Sequence, residues 1–342
     1  MTGTFEQFSA KTGFFYFPDV LKHFFKVKNI LAFLYLALNY GLTFLFFYAL
    51  DGSIEEGFLG AAIVFLFSTF IALSPIGEWI IRKIQKFRRI EEGKKSLNKL
   101  NPLFYEVVSR AREQHPDFCL DKHLQFYIKD DPRPNTYTIG RRTLCVTTGL
   151  LNCTDDHIRA VLAHEVYHLI HHETDLVLLI SAGNAFLTTA ALIVRFVLFI
   201  GTTVMSIFFS FFDSNEGFFM SVITAIGGLL QLVCVNLILW LWTNLGVLLV
   251  KNGSKKAEYA ADAFACDLDY GEGLISFFYR LQGYEGIYTN ILYDSIFERL
   301  KEETSVFSVV SRKHPKTEKR IERTEKQLIQ MYDEFEGTEH ID

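Results

Sequence analysis

The chain has 342 residues, half of them hydrophobic, with 34 phenylalanines, a mean hydropathy of +0.19 and a formal net charge of −5. That composition is too apolar for an ordinary soluble enzyme and points to membrane spans. The weak net charge argues against a polyanionic partner such as nucleic acid. The five cysteines (Cys119, Cys145, Cys153, Cys234 and Cys266) are odd in number and form no C-x-x-C pair. They argue against a disulfide framework and fit reduced thiols in a cytosolic setting.

Residues 1–29 form a mixed N-terminal segment with Lys22, Lys26 and Lys28 ahead of the first apolar run. That run, 30–50, has no charge and is long enough to cross a bilayer as a helix. It starts too late for a compact signal peptide, so it reads as a retained span. An acidic linker, DGSIEEG at 51–57, leads to a second run at 58–76. Arg82, Lys83, Lys86, Arg88, Arg89, Lys94 and Lys95 follow. Basic outer ends and an acidic tip predict a first transmembrane hairpin over 30–80, with both ends in the cytoplasm.

Residues 81–175 read as the first part of a soluble unit. An amphipathic helix is predicted over 103–114 and a strand over 124–129, stopped by Asp130-Asp131-Pro132. Two further strands, 135–139 and 143–147, are joined around Gly140-Arg141-Arg142. A helix then starts near Thr154, a good N-cap, with Asp155 and Asp156 in its first turn.

Its polar flanks, DDHIR and HHETD, exclude it as a span. A second hairpin is predicted over 176–250, built from apolar runs at 176–212 and 218–250 around the acidic tip DSNEG. Both runs exceed the roughly 20 residues a crossing needs, so the excess must project or break into shorter pieces. Arg195 interrupts the third run and reads as a snorkelling arginine. Residues 251–342 return to polar composition and several helices, the charge-rich 316–335 presenting a solvated face. No internal repeat, nuclease or helicase motif, or Gly-rich phosphate loop is present.

The stretch HEVYH, 164–168, lies on the predicted soluble helix. Residues four apart share a helix face, so His164 and His168 can grip one metal ion. Glu165 lies about 100° around and can reach a water at that metal. This is the H-E-x-x-H pattern of zinc hydrolases, two ligands and one general base. A surface helix with two solvated histidines is the simpler alternative.

A catalytic zinc takes a third protein ligand. EYAAD at 258–262 offers Glu258 as that ligand, with Asp262 on the same face to hold a histidine through its distal nitrogen. Alone, such a pair is common on solvated helices; beside HEVYH the metal reading is preferred. A further ligand from His171 or His172 is the less favoured option, since three suffice.

HEVYH, an apolar hairpin and then EYAAD resemble the HtpX-like membrane zinc metalloproteases, of the gluzincin class. PNTYTIG at 134–140, CVTTGLL at 145–151 and KHPKTEKRI at 313–321 are similar to further elements of that family. The resemblance implies a mainly α integral membrane protein, with four transmembrane helices and a cytoplasmic α+β zincin-type catalytic domain containing a small sheet. It implies one Zn²⁺ per chain on His164, His168 and Glu258, with Glu165 as general base and Asp262 behind a ligand. Asn135, Thr136 and Tyr137 would bind substrate in extended form by strand addition, and His314 and Arg320 would face the oxyanion.

The implied substrates are proteins or peptides, misfolded membrane proteins among them, in the lipid of a bacterial inner membrane. The chain departs from the family pattern at Thr136, where Ala is usual, at Ala257, at Lys316 and in the short 140–142 linker. These bear on substrate preference more than on activity.

Other readings are separable. A site-2 type intramembrane protease would carry the motif inside an apolar span, and a prenyl-protein (CAAX) protease usually has more spans. A non-catalytic adaptor with structural zinc would favour cysteine ligands and no Glu165.

Overall fold

The computed structural model describes residues 9–10, 30–116, 120–171, 173–211, 215–291 and 316–339. The expectations for the N-terminal segment before residue 30 (beyond residues 9–10), for His172 and for His314 fall outside them. The described elements are, in order, β1 (Ser9–Ala10), α1 (Ile30–Asp51), α2 (Ile54–Ala72), α3 (Pro75–Ile84), β2 (Arg88–Arg89), α4 (Lys95–Gln114) and β3 (Leu120–Asp121). Then come β4 (Gln125–Lys129), β5 (Thr136–Ile139), β6 (Thr143–Thr147), α5 (Thr148–Leu151) and α6 (Asp155–Ile170). The last four are α7 (Glu173–Ser210), α8 (Asn215–Asp267), α9 (Gly271–Ile291) and α10 (Thr317–Glu339). The fold is mainly helical with a small mixed sheet.

α1 and α2 form the first hairpin. Ser53 caps α2 by accepting the Glu56 N–H, and Glu55 and Glu56 occupy its first turn, where the helix dipole favours them. α2 alone, among the described residues, is long and apolar enough to cross a membrane, with a mean hydropathy of 1.7. Shorter apolar stretches lie at Phe33–Ala49, Ile193–Phe209 and Phe218–Leu230. α1, α2, α7 and α8 pack on one another yet leave large side chains exposed, such as Phe67, Phe196 and Leu229. Within this layer the Trp242 indole N–H donates to Asn39 Oδ1 at 3.0 Å and its ring stacks on Tyr35.

The overlong apolar runs do not break. α7 is 38 residues and α8 is 53 residues, roughly 80 Å at the usual rise per residue, against about 30 Å of bilayer core. The excess of α8 continues without a break past residue 250 and carries Glu258 and Asp262. The apolar run and Glu258, one of the residues proposed to hold the metal, therefore share one continuous helix.

The four-stranded sheet has the order β2-β4-β6-β5, with β4 parallel to β6 and β5 antiparallel to it. β6 is buried throughout, whereas β5 is the last strand and its outer edge meets no strand among the described residues. β1 and β3 form a separate parallel pair. The core lies between this sheet, α4, α6, α9, α10 and the C-terminal end of α8, with Phe104, Leu144, Ile158, Leu162, Ala265 and Phe278 at its centre.

Two elements stand where the sequence predicts only a basic membrane flank. α2 stops at Leu73, Ser74 accepts the Ile76 N–H, and Pro75 starts α3 at the position where its missing N–H costs nothing. Arg88 and Arg89 form β2 against β4. α3 contributes Glu78, fully buried, which accepts the Arg141 backbone N–H at 3.0 Å and the Thr143 hydroxyl at 2.8 Å. Arg82 donates to that same hydroxyl at 2.7 Å. Arg141 binds Asp175 at 2.7 and 3.0 Å, and Thr174 donates to the Gly140 carbonyl at 2.7 Å. Gly140 has φ +57°, and a Cβ there would run into the Glu78 carboxylate, so the turn requires glycine. This polar knot ties the β5–β6 turn to both helical hairpins.

Candidate metal centre and active site

α6 begins as its sequence predicts, with Thr154 accepting the His157 N–H. It is buried nearly all round, which is why its imidazoles lie inside the fold rather than in solvent. His164 Nε2 and His168 Nε2 stand 3.2 Å apart. Glu258 brings Oε2 to 3.3 Å from His164 Nε2 and Oε1 to 3.6 Å from His168 Nε2. One donor atom from each of the three lies within 4.8 Å of the others, and all three residues are buried. A tetrahedral metal with bonds of about 2.0–2.1 Å holds its ligand atoms about 3.3 Å apart, so the spacing fits. Two imidazoles and a carboxylate also form the donor set of catalytic rather than structural sites. The solvated-histidine alternative is excluded by burial: His168 is 0% exposed and His164 4%.

Behind the triad, His164 Nδ1 meets Asp262 Oδ1 at 2.9 Å. Arg320 donates to both Asp262 oxygens, Nε to Oδ2 at 2.8 Å and Nη2 to Oδ1, and its guanidinium lies 4.3 Å over the Phe278 ring. Burial works against ionisation of Asp262, but Arg320 and His164 outweigh it and hold the carboxyl below its ordinary value. The anionic Asp262 can only accept, so the shared proton belongs on Nδ1 and the Nε2 lone pair faces the triad. Burial also opposes a charge on His164; its bonds to Asp262 and Glu258 outweigh that and lift the ring to about 9. The charged ring carries a second proton on Nε2, toward Glu258, and a metal would have to displace that one while the Nδ1 proton stays with Asp262.

Glu165 is 4% exposed. Its Oε1 accepts from the Thr136 hydroxyl at 2.8 Å, and its Oε2 accepts from the Thr138 hydroxyl. The remaining predicted residues divide. Asn135 turns its side-chain oxygen onto the Thr136 N–H at 2.8 Å. Tyr137 points to the other face of the sheet, where it meets Phe87 and the Lys129 ammonium. Arg320, expected to face an oxyanion, donates to Asp262 and also brings Nη2 to 3.3 Å from His164 Nδ1 and Nη1 to 3.9 Å from Glu258 Oε2. His171 stacks on Tyr167 and donates to its carbonyl at 2.9 Å, outside the triad.

The contact of Thr136 and Thr138 with Glu165 was absent from the sequence expectations, although strand alternation alone puts 136 and 138 on one face. The Glu78–Arg141–Asp175 knot carried no such signal.

A helix-borne H-E-x-x-H pair joined by a glutamate from a later helix defines a metallopeptidase centre. A family model described as Peptidase family M48 matches residues 104–328, and the chain belongs to that family, the HtpX-like metalloproteases. It is 24% identical over 311 residues to a Protease HtpX homolog of Campylobacter hominis, covering 87% of this chain and 96% of the relative. It is 26% identical over 274 residues to Protease HtpX of Idiomarina loihiensis, covering 79% and 83%. A Protease HtpX homolog of Neisseria meningitidis serogroup B is 28% identical over 240 residues, covering 66% and 71%. The family implies a metal, and the His-His-Glu group is where these residues would hold it.

Proposed function

We propose that the chain is a zinc-dependent endopeptidase held in a membrane by four helical spans, with its site on the cytoplasmic side. We infer misfolded or damaged membrane proteins as its substrates. The observation that carries the reading is the buried convergence of His164, His168 and Glu258 with Glu165 one residue along α6. The apolar side chains left exposed on α2, α7 and α8 support the membrane part, and the basic outer ends of the first hairpin support the orientation.

When bound, zinc would supply Lewis acidity, acidifying water and polarising a carbonyl. His164, His168 and Glu258 would hold it. Glu165 takes the proton of the attacking water and later returns it to the leaving amine. The substrate backbone adds to the outer edge of β5, where main-chain groups rather than the Tyr137 side chain do the binding. Asp262 orients His164, and Arg320 acts through Asp262 as a positioning residue. His314 keeps the oxyanion role that the resemblance implies.

The test is cleavage of an unfolded protein by detergent-purified enzyme with and without zinc, beside Glu165→Gln. Zinc-dependent cleavage that disappears in the variant is the expected result. Equal cleavage by both proteins would remove Glu165 from the mechanism. Stoichiometric zinc with no cleavage of soluble or membrane substrates would favour a non-catalytic adaptor.

A further inference from the structure

Both oxygens of Glu165 are engaged by one strand. The alternation of β5 sends Thr136 and Thr138 to the face that looks onto α6, and Tyr137 to the opposite face. The Thr136 hydroxyl donates to Oε1 at 2.8 Å and the Thr138 hydroxyl to Oε2. Thr136 is 5% exposed and Glu165 4%, so water competes little for the bond between them. A hydroxyl on each oxygen fixes the plane of the carboxylate. A single hydrogen bond would leave it free to rotate. The β-branched threonines have few rotamers of their own, so the constraint passes to the strand backbone.

We propose that Thr136 and Thr138 are positioning residues for Glu165, a two-hydroxyl clamp that orients the base from the strand that receives the substrate. The proposal rests on the reading of Glu165 as general base. It adds a coupling: a substrate strand laid along the outer edge of β5 and the base on its inner face share one backbone. A substrate that seats β5 correctly also aims the carboxylate. General bases lose much of their effect when their geometry is lost, so the clamp acts on turnover more than on binding.

The experiment uses the full-length protein in detergent with a cleavable peptide, comparing Thr136→Val, Thr138→Val, the double variant and the two Thr→Ser variants. Valine keeps the shape and removes the hydroxyl. The expected result is a fall in kcat of about tenfold or more for each valine, with KM changed by less than about twofold, zinc content unchanged, and serine restoring most of the rate. A readout free of activity comes from melting. Thr136→Val should lower Tm by about 2 °C or more in the wild-type background and by much less when Glu165 is already Leu, because the bond is then already gone.

A double valine variant with kcat within about twofold of wild type, or with the same Tm loss in both Glu165 backgrounds, would overturn the clamp. If Glu165→Gln cleaves like wild type, the base reading fails instead, and the melting cycle still decides whether the clamp exists.

Discussion

The two ends of α8 obey opposite rules. Toward its N-terminal end Phe218, Phe219, Leu229 and Leu230 stand 60–73% exposed. Toward its C-terminal end Glu258, Ala261, Asp262, Ala265 and Cys266 are all buried, the two acids included. In water this arrangement would be inside out at both ends. It makes sense if the first end is solvated by lipid and the second is solvated by partners built for it: two histidines, an arginine and a metal ion. Exposed apolar groups then cost nothing, because lipid tails are as apolar as the side chains. Asp262 is retained because Arg320 faces it as a fixed counter-charge, and the same guanidinium lies 3.9 Å from Glu258. The helix itself is indifferent to the change of solvent, and so it passes from one regime to the other without a break.

The sharpest way to break the comparison is at the buried end. Glu258→Ala removes a donor from a three-ligand site. Metal analysis should find the zinc lost after dialysis, and peptidase activity should fall by about 10³-fold or more. Far-ultraviolet circular dichroism should be nearly unchanged, since α8 does not depend on that side chain for its length. Full zinc occupancy in the variant would mean that the third ligand lies elsewhere.

Next in size is the knot that joins the buried region to the hairpins. Arg141 and Asp175 are 4% and 1% exposed and 2.7 Å apart. Arg141→Leu strands a buried carboxylate and should cost about 3–5 kcal/mol in denaturant unfolding. It should also slow cleavage, because Arg141 sits in the turn after β5.

The exposed end is tested by Leu229→Arg. A lipid-facing position should pay about 2 kcal/mol or more for that charge in a bilayer, while a water-facing one would pay almost nothing. Insertion or unfolding measured in vesicles separates the two.

How much of this was legible in the sequence differs between the same two regions. HEVYH and EYAAD were readable because the positions of 164 and 168, or 258 and 262, depend only on helix geometry, which is local. Thr154 as cap and the strands at 125–129, 136–139 and 143–147 were readable for the same reason. The contacts of Arg320 were less so: a guanidinium has many possible anions, and packing over Phe278 sets it beside Asp262 and within 3.9 Å of Glu258. α3 and β2 were hidden because a basic stretch after a span reads as a membrane flank. Yet Arg82 and Glu78 turn inward to bind Thr143. The continuity of α8 was hidden by its change of composition near 251, which alters what surrounds the helix and leaves the backbone as it was.

The mildest prediction concerns Asp262. Asp262→Asn keeps the shape but removes the charge that orients His164, and should weaken zinc binding by about 10–100-fold, read by competition with a chromogenic chelator. The same substitution tests the proton on His164. Its folded pKa is raised from 6.5 to about 9. With zinc removed by a chelator, the stability this group contributes is therefore fully present below about 6.5 and lost as pH rises through about 9. Zinc-loaded protein should behave in the opposite sense over that window, since fewer protons compete for Nε2 as pH rises. Melting curves between those pH values, with and without chelator, should therefore diverge in wild type. In Asp262→Asn the largest bond that raises the pKa is weakened, and the chelated curve should flatten. A chelated wild-type protein that grows more stable across the window would show that His164 carries no such proton, and that the Asp262 contact has another purpose.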